Sequence, residues 1–547
     1  EMSASLVGSE MCIRDRNKIM HLKNYRLLTA LIGAWILSNA SAHAASDAPR
    51  LVVSITIDQL RSDYMQAFKS LYGERGFKRL MKDGYVCLNA EYPFVSPDRA
   101  SAVACLFTGA SPYENGIVAN MWMDRKILRP VFCVDDEKYP SLPKGTASSP
   151  QYLRTSTLVD ELKMASAGTA QIYAISPFRD AAILAAGHAG DGAFWINDET
   201  GQWVTSSYYG GYPAWASAYD RTNPLWEKVG EFKWTPTNDL VGNFNYLLGS
   251  AVTNSFEHRF KGDQRISQFK TTGCVNEEVN KFAKVCMEST ALGKDDVTDF
   301  LSVTYYAGNF EHRTSSEYPI ELQDTYVRLD RQLGDLIDYV EKRVGSGQVL
   351  FVVTSTGYSD PERPELARYR IPTGVFSMKK ASALLNMYLM AMYGEGQYVE
   401  ATYNAQIFLN KKLLEEKQLN SAEVLQRCQD FIIQLEGVQD VYTSHRLNVG
   451  SWSPVISKIR NSYHPKRSGD ILIDVSSGWK LETENSNEPL WIREGFVSFP
   501  LVFLGYDIKS QIIKTPVSVD CVAPTLSQFM RIRAPNACSA YPLTDLK

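Results

Sequence analysis

Two short stretches hold the residues whose types and spacing could do chemistry. The first is "LVVSITID", a β-branched, apolar run that ends on Asp58. Such a run reads as a strand buried on both faces. In open parallel sheets, ligands bind beyond the carboxyl ends of the strands, so Asp58 falls at a candidate site. Asp58 also has a plainer role open to it, as the cap of a helix beginning at Gln59. The second stretch is "FVSPDRASAVACLFTG", from Phe94 to Gly109. Ser96-Pro97-Asp98 reads as a helix start, with Ser96 at the cap and Pro97 at the first helical position. A helix N-terminus offers unpaired N–H groups and a partial positive charge, which suit an anion. Arg99 stands where one looks for a nucleophilic hydroxyl. Ser96, Ser101 and Ser355 are the hydroxyls to weigh as substitutes. Their plainer roles are helix cap, helix-surface residue and strand end.

A frame is needed to bring these residues together. Runs like the first recur at 170–176, 300–308, 348–356, 469–475 and 499–505. Helical patterns lie between or after them, at Phe68 to Asp83, Ser156 to Ser166, Ile320 to Val344, Ser421 to Leu435 and Val522 to Met530. Strands alternating with helices predict an α/β fold, with a mostly parallel sheet covered on both sides. The Gly-, Tyr- and Trp-rich stretch from about Trp195 to Trp234 lacks this rhythm and reads as an inserted cap.

At 547 residues the chain could hold several average domains or one large core with insertions. Apolar content of 44% and charged content of 22% are ordinary for a globular protein. The net charge is −4 and no Lys/Arg-rich run stands out, so a nucleic-acid partner is not expected. The opening "MSASLVGSEMCIRDR" resembles a translated sequencing adapter, and residues 1–19 are set aside. From Met20 a basic start (Lys23, Arg26), an apolar core from Leu27 to Leu37 and the small-x-small Ala42-His43-Ala44 follow. That core is shorter than the ~20 residues a membrane span needs. Residues 20–44 therefore read as a secretory signal peptide, which predicts a periplasmic or secreted protein with no membrane span. Setting Cys12 aside leaves eight of the nine cysteines. An oxidising compartment predicts disulfides among them, with Cys274 and Cys286 the easiest pair to propose.

The segment from "LVVSITIDQLRSDYMQAF" through "PDRASAVACLFTGASPYENGIVANMWMD" is similar to the opening of a known family. It resembles secreted bacterial alkaline phosphatases of the nucleotide pyrophosphatase/phosphodiesterase group. The similarity continues in "STLVDELK", "ILAAGH", "DTYVRLDRQLGDLI", "YHPKRSGDILI" and "VAPTLSQFMRI". The resemblance implies a three-layer α/β/α sandwich over residues 45–547, with cap insertions at about 120–300 and 360–465. It also implies hydrolysis of phosphate mono- or diesters by two zinc ions and a Thr or Ser nucleophile. Two zinc ions hold the attacking and leaving oxygens of an in-line displacement, each through carboxylate and imidazole ligands.

Carried over residue by residue, the resemblance implies a depleted site. The first metal aspartate matches Asp58 and is kept. The nucleophile position, counted back from Thr108-Gly109, holds Arg99. The Asp-x-x-x-His pair falls on Asn309 and Arg313, the Asp-His pair on Ser355 and Thr356, and the late His on Ser498. A one-residue slip would bring in His312, and Asp360 lies five positions after Ser355. The substrate-contacting Asn matches Asn120. The Lys and Arg that hold substrate in the phosphomonoesterase branch fall on Phe178 and Asp180, with Arg179 adjacent. His188 and His464 sit in shared motifs away from the metal positions, as packed or surface residues.

Charge connects these replacements. A buried Asp58 costs several kcal/mol unless it is paired or protonated. Arg99 and Arg313 are the cations among the substituted positions, so cationic side chains stand in for cationic metals. The expectation is a pseudoenzyme without metal that binds an unknown protein or a small anionic ligand. The ligand would meet Asn120, Arg99, Arg313 and Arg179. The alternative is an active phosphoric ester hydrolase with a non-standard metal site or nucleophile. Two zinc ions are expected only if the family chemistry persists.

Overall fold

Strand Leu51–Asp58 lies in the middle of the largest sheet, and all eight of its residues are buried. The computed structural model describes residues 48–238, 240–241, 255–360, 370, 372–450, 453–484, 488–492 and 497–546. Residues 1–19 and 20–44, expected to be an adapter-like segment and a signal peptide, lie outside the described residues. Among the described residues no helix is long and apolar enough to cross a membrane.

From one edge the sheet runs Gln511–Ile513, Tyr85–Glu91, Phe499–Gly505, Val349–Ser355, Leu51–Asp58, Asp299–Tyr306, Ile172–Ile175, Gly192–Ile196, Trp203–Ser206 and Ser141–Leu142. The five strands from Val349–Ser355 to Gly192–Ile196 pair in parallel. Phe499–Gly505 enters antiparallel to both neighbours, so the sheet is mixed. Helices pack on its faces, as the expected α/β class requires. The unbroken apolar runs of the central strands follow from burial on both sides.

Three local expectations change. Phe68 to Asp83 is broken into Lys69–Leu71 and Phe77–Asp83, after a helix at Ser62–Ala67. Asp330 causes the break. Its carboxylate accepts from Gly73 N at 2.8 Å and Phe77 N at 2.7 Å, and a Cβ on Gly76 would stand 2.2 Å from the Asp330 carbonyl oxygen. The run at 469–475 forms Ile471–Val475, but in a separate four-stranded sheet with its own core, from Phe376 to Trp479. Its buried residues alternate with half-buried ones, the pattern of a strand covered on one face. In the aromatic-rich stretch, Trp203–Ser206 extends the main sheet. Trp203 stacks on Phe282 with ring centroids 4.0 Å apart, so part of this stretch is core.

The disulfide expectation is corrected. Cys87, Cys105, Cys133, Cys274, Cys286, Cys428, Cys521 and Cys538 are all free thiols. Cys274 precedes helix Val275–Ser289 and Cys286 lies twelve residues along it. A helix rises about 1.5 Å per residue, which puts the two Cα atoms about 18 Å apart. A disulfide needs them within about 7 Å.

Candidate functional site

Helix Arg99–Thr108 begins two residues after the Pro97 start. Its cap is Asp98, whose side chain accepts from Ser101 N, while the Ser101 hydroxyl accepts from Asp98 N. This reciprocal box satisfies two orphan donors and outcompetes a cap at Ser96. Ser96 is exposed and left-handed, at φ 50°. Arg99 is therefore the first helical residue, beside the end of the central strand.

Arg99 turns inward. Its Nη1 donates to Asp58 Oδ2 at 3.1 Å and its Nε to Asp180 Oδ1 at 2.9 Å. Its guanidinium carbon sits 3.7 Å from the centre of the Phe178 ring. Asp180 belongs to helix Arg179–Ala186, which packs on the Arg99 helix. One guanidinium thus serves two carboxylates that are fully out of solvent. Burial opposes the charge on Arg99, but Asp180 and Asp58 outweigh it and hold the guanidinium protonated well above its ordinary range. Burial pushes the Asp58 carboxyl up, against the pull of Arg99 and of the Thr356 hydroxyl.

Thr356 completes the Asp58 shell. Its hydroxyl donates to Asp58 Oδ1 at 2.9 Å and accepts from Gln59 N at 2.9 Å. The Gln59 side chain in turn holds Asp360, through Nε2 to Oδ1 at 3.2 Å and Asp360 N to Oε1 at 2.8 Å. Asp360 faces His312, with Nδ1 at 3.0 Å. Burial disfavours charge on His312, yet Asp360 more than offsets this and raises its pKa. Gln59, Ser96, Glu311 and His312 all adopt left-handed backbone, with φ between 50° and 63°. Such strain persists only where the surroundings over-determine it, and it gathers at functional sites.

The other expected residues divide. Ser355 is fully buried, and its hydroxyl accepts from Gly357 N at 3.2 Å. Asn309 is buried and its side chain donates to the Arg313 carbonyl at 2.8 Å. Arg313 is exposed and makes no ion pair with Asp58, so Arg99 alone of the two arginines joins it. The Ser498 hydroxyl lies 3.2 Å from Leu88 O and 3.0 Å from Asn89 Oδ1. Asn120 is exposed, with its backbone N–H on Asp98 Oδ2 at 2.5 Å. Arg179 points elsewhere, to Asp135 at 2.9 Å and Ser148 at 2.9 Å. His188 pairs with Asp160 at 2.9 Å, and His464 is buried. A separate cavity of about 400 Å³, lined by Gly201, Asp220 and Trp226 among others, includes none of these residues.

Asp180 was not anticipated as a partner of Arg99. Its signal was a charge inversion, an acidic residue where the family resemblance implies an arginine. An arginine at 99 and an acid at 180 make a compensating exchange.

The donor set does not fit two zinc ions. Zinc takes thiolate, imidazole and carboxylate ligands. Here both Asp58 oxygens accept from Arg99 and Thr356. The remaining matched positions bring amide, guanidinium and hydroxyl groups. Among the described residues no three His, Cys, Asp or Glu side chains gather as a metal-holding group.

The chain is similar to known proteins over most of its length. The alkaline phosphatase PafA of Elizabethkingia meningoseptica is 29% identical over 541 residues, covering 94% of this chain and 98% of that protein. The alkaline phosphatase PhoV of Synechococcus elongatus is 28% identical, covering 91% of this chain and 93% of that protein. The crystal structure of wild-type PafA superposes with a TM-score of 0.76 at 28% identity, over 91% of this chain and 99% of that one. The family model described as type I phosphodiesterase / nucleotide pyrophosphatase matches residues 52–498. With its sheet, its strand-end aspartate and this match over most of its length, the chain belongs to the type I phosphodiesterase / nucleotide pyrophosphatase family.

Proposed function

We propose that this chain is a periplasmic or secreted member of the family that binds a phosphate ester, a related small anion or a protein partner. It does so without the two-zinc displacement that the family resemblance implies. The observation that carries this reading is Arg99. It occupies the nucleophile position and bonds Asp58 at 3.1 Å and Asp180 at 2.9 Å. A guanidinium is no nucleophile at neutral pH, and here its charge is committed to the carboxylate that a metal would use. The test is hydrolysis of aryl phosphate mono- and diesters by the purified mature chain. Rates at background support the reading. Turnover that survives repurification and disappears in Asp58→Ala overturns it.

A second reading is a phosphoric ester hydrolase with non-standard groups. The names of the relatives favour it, since PafA and PhoV are both alkaline phosphatases. Within the chain, the Asp360–His312 pair supports it, because a carboxylate-held imidazole can act as a general base. Turnover lost in His312→Gln but kept in Asp58→Ala selects this reading over the first.

A further inference from the structure

Gly116 follows helix Pro112–Asn115 in a left-handed conformation, at φ 85°. A Cβ there would stand 2.7 Å from Arg467 Nη1 and 2.8 Å from Arg154 Cδ, so two arginine side chains lie against one glycine. Arg467 is held firmly. Its Nη1 donates to the Gly116 carbonyl and its Nη2 to Tyr152 O at 2.8 Å. Its guanidinium carbon lies 4.7 Å from the Trp122 ring centre and 5.4 Å from that of Tyr152. A guanidinium has five N–H donors, so three are left after these two bonds.

Among the described residues, no ion pair forms with Arg154, Lys466 or Arg467. The nearby carboxylate of Asp470 is already shared by Arg125 at 3.0 Å and Lys411 at 3.3 Å. Burial, then the like charge of Arg154, lowers Arg467 to about 10. Burial, then Arg467, Arg154 and Lys466, lowers His464 to about 4, so it is neutral at physiological pH. Lys466 N donates to His464 Nδ1 at 3.2 Å, which puts the imidazole proton on Nε2. His464 is 6% exposed, and among the described residues its Nε2–H has no partner. Arg154 and Arg467 thus lie against one glycine, with Lys466 and the neutral His464 next to Arg467 along the chain and no ion pair to these cations among the described residues, and the aromatic faces of Trp122 and Tyr152 fix one guanidinium in place.

We propose that Arg154, Lys466, Arg467 and His464 form a binding site for a phosphate-type oxyanion. An arginine with spare N–H groups suits the tetrahedral oxygens of phosphate, and the lysine adds a point charge. The site uses neither Asp58 nor Arg99, so it stands or falls independently of the proposed function.

The test is calorimetric titration of the mature chain with inorganic phosphate, and separately with adenosine monophosphate. The variants are Arg154→Gln with Lys466→Gln, both exposed positions, and Lys412→Gln alone as a charge control. The proposal expects binding of at least one probe, weakened roughly tenfold or more in the double variant, from the loss of charge-assisted hydrogen bonds. Lys412→Gln, on an exposed helix surface, should leave that binding unchanged. Phosphate alone would mark a free anion as the occupant, and the nucleotide an ester. Each supports the site if the double variant loses it. Failure of the parent chain to bind either probe, equal binding by the double variant, or an equal loss in Lys412→Gln would overturn the proposal. Circular dichroism and melting of the double variant confirm that it is folded.

Discussion

The guanidinium of Arg99 lies 3.1 Å from the carboxylate of Asp58 and joins the start of a helix to the end of the central strand. The same side chain reaches Asp180 on a second helix, so three elements meet at one cation. Removing it leaves two buried carboxylates facing each other without a counter-charge. Arg99→Ala should therefore cost about 3–5 kcal/mol, the usual range for breaking a buried pair. Asp58→Asn should cost less, because burial already favours the neutral form of that carboxyl. The double variant should be more stable than the sum of the single effects implies, by roughly 0.5–3 kcal/mol. Urea unfolding of the four proteins measures this. Strict additivity would show that the two side chains do not interact.

Thr356 both donates to Asp58 and accepts from the backbone of Gln59. Thr356→Val keeps the shape and removes both bonds. It leaves a buried N–H and a carboxylate oxygen short of partners, at a cost of about 1–3 kcal/mol. Thr356→Ser should restore most of that stability, since it keeps the hydroxyl. If valine and serine are equivalent in thermal unfolding, the hydroxyl has no part in holding Asp58.

His188 and Asp160 predict a pH dependence. The bond to Asp160 outweighs burial and raises the His188 pKa above its ordinary value. Burial works against the Asp160 charge, but His188 and Thr157 outweigh it and lower that pKa. The His188 contribution is full below about pH 6.5 and is lost as pH rises through its raised folded value. The Asp160 contribution is present above about pH 3.9 and is lost as pH falls through its lowered folded value. The pair thus acts mainly between these limits. The melting-temperature gap between the parent and His188→Gln should shrink as pH rises from below about 6.5 through the raised folded value, where the imidazole loses its charge. A constant gap would mean that the imidazole never gains charge from its partner.

Seven of the eight described thiols are buried and Cys538 is half-buried. Burial pushes the thiol pKa up at Cys105, Cys133 and Cys286, so little thiolate forms at neutral pH. The native protein should resist alkylation, and all eight should react once it is denatured. Mass spectrometry of iodoacetamide adducts counts them. A pair that stays unmodified until a reductant is added would be a disulfide.

Strand Leu51–Asp58 was legible because burial on both faces leaves an unbroken apolar run. Arg99 as the partner of Asp58 was legible through its charge at a position the family resemblance sets beside Asp58. Arg313 carried the same charge but lies exposed after a left-handed turn at Glu311 and His312, which no composition rule foresees. Asp180 was visible only as an inversion of charge. Its link to Arg99 spans 81 positions and depends on two helices packing together. The run at 469–475 reads as a strand, but its pairing with Gln406–Leu409 and Val438–Thr443 is set by long-range register, which local pattern does not contain.

The central claim is that an arginine and its carboxylates occupy the place where the resemblance implies zinc. Zinc content of the purified chain tests it most directly, measured by plasma mass spectrometry after exposure to excess zinc and dialysis. The account predicts far less than one zinc ion per chain, and no loss of melting temperature on adding a chelator, since only a bound metal stabilises by mass action. One or two zinc ions per chain that survive dialysis, with a chelator-dependent fall in melting temperature, would contradict it.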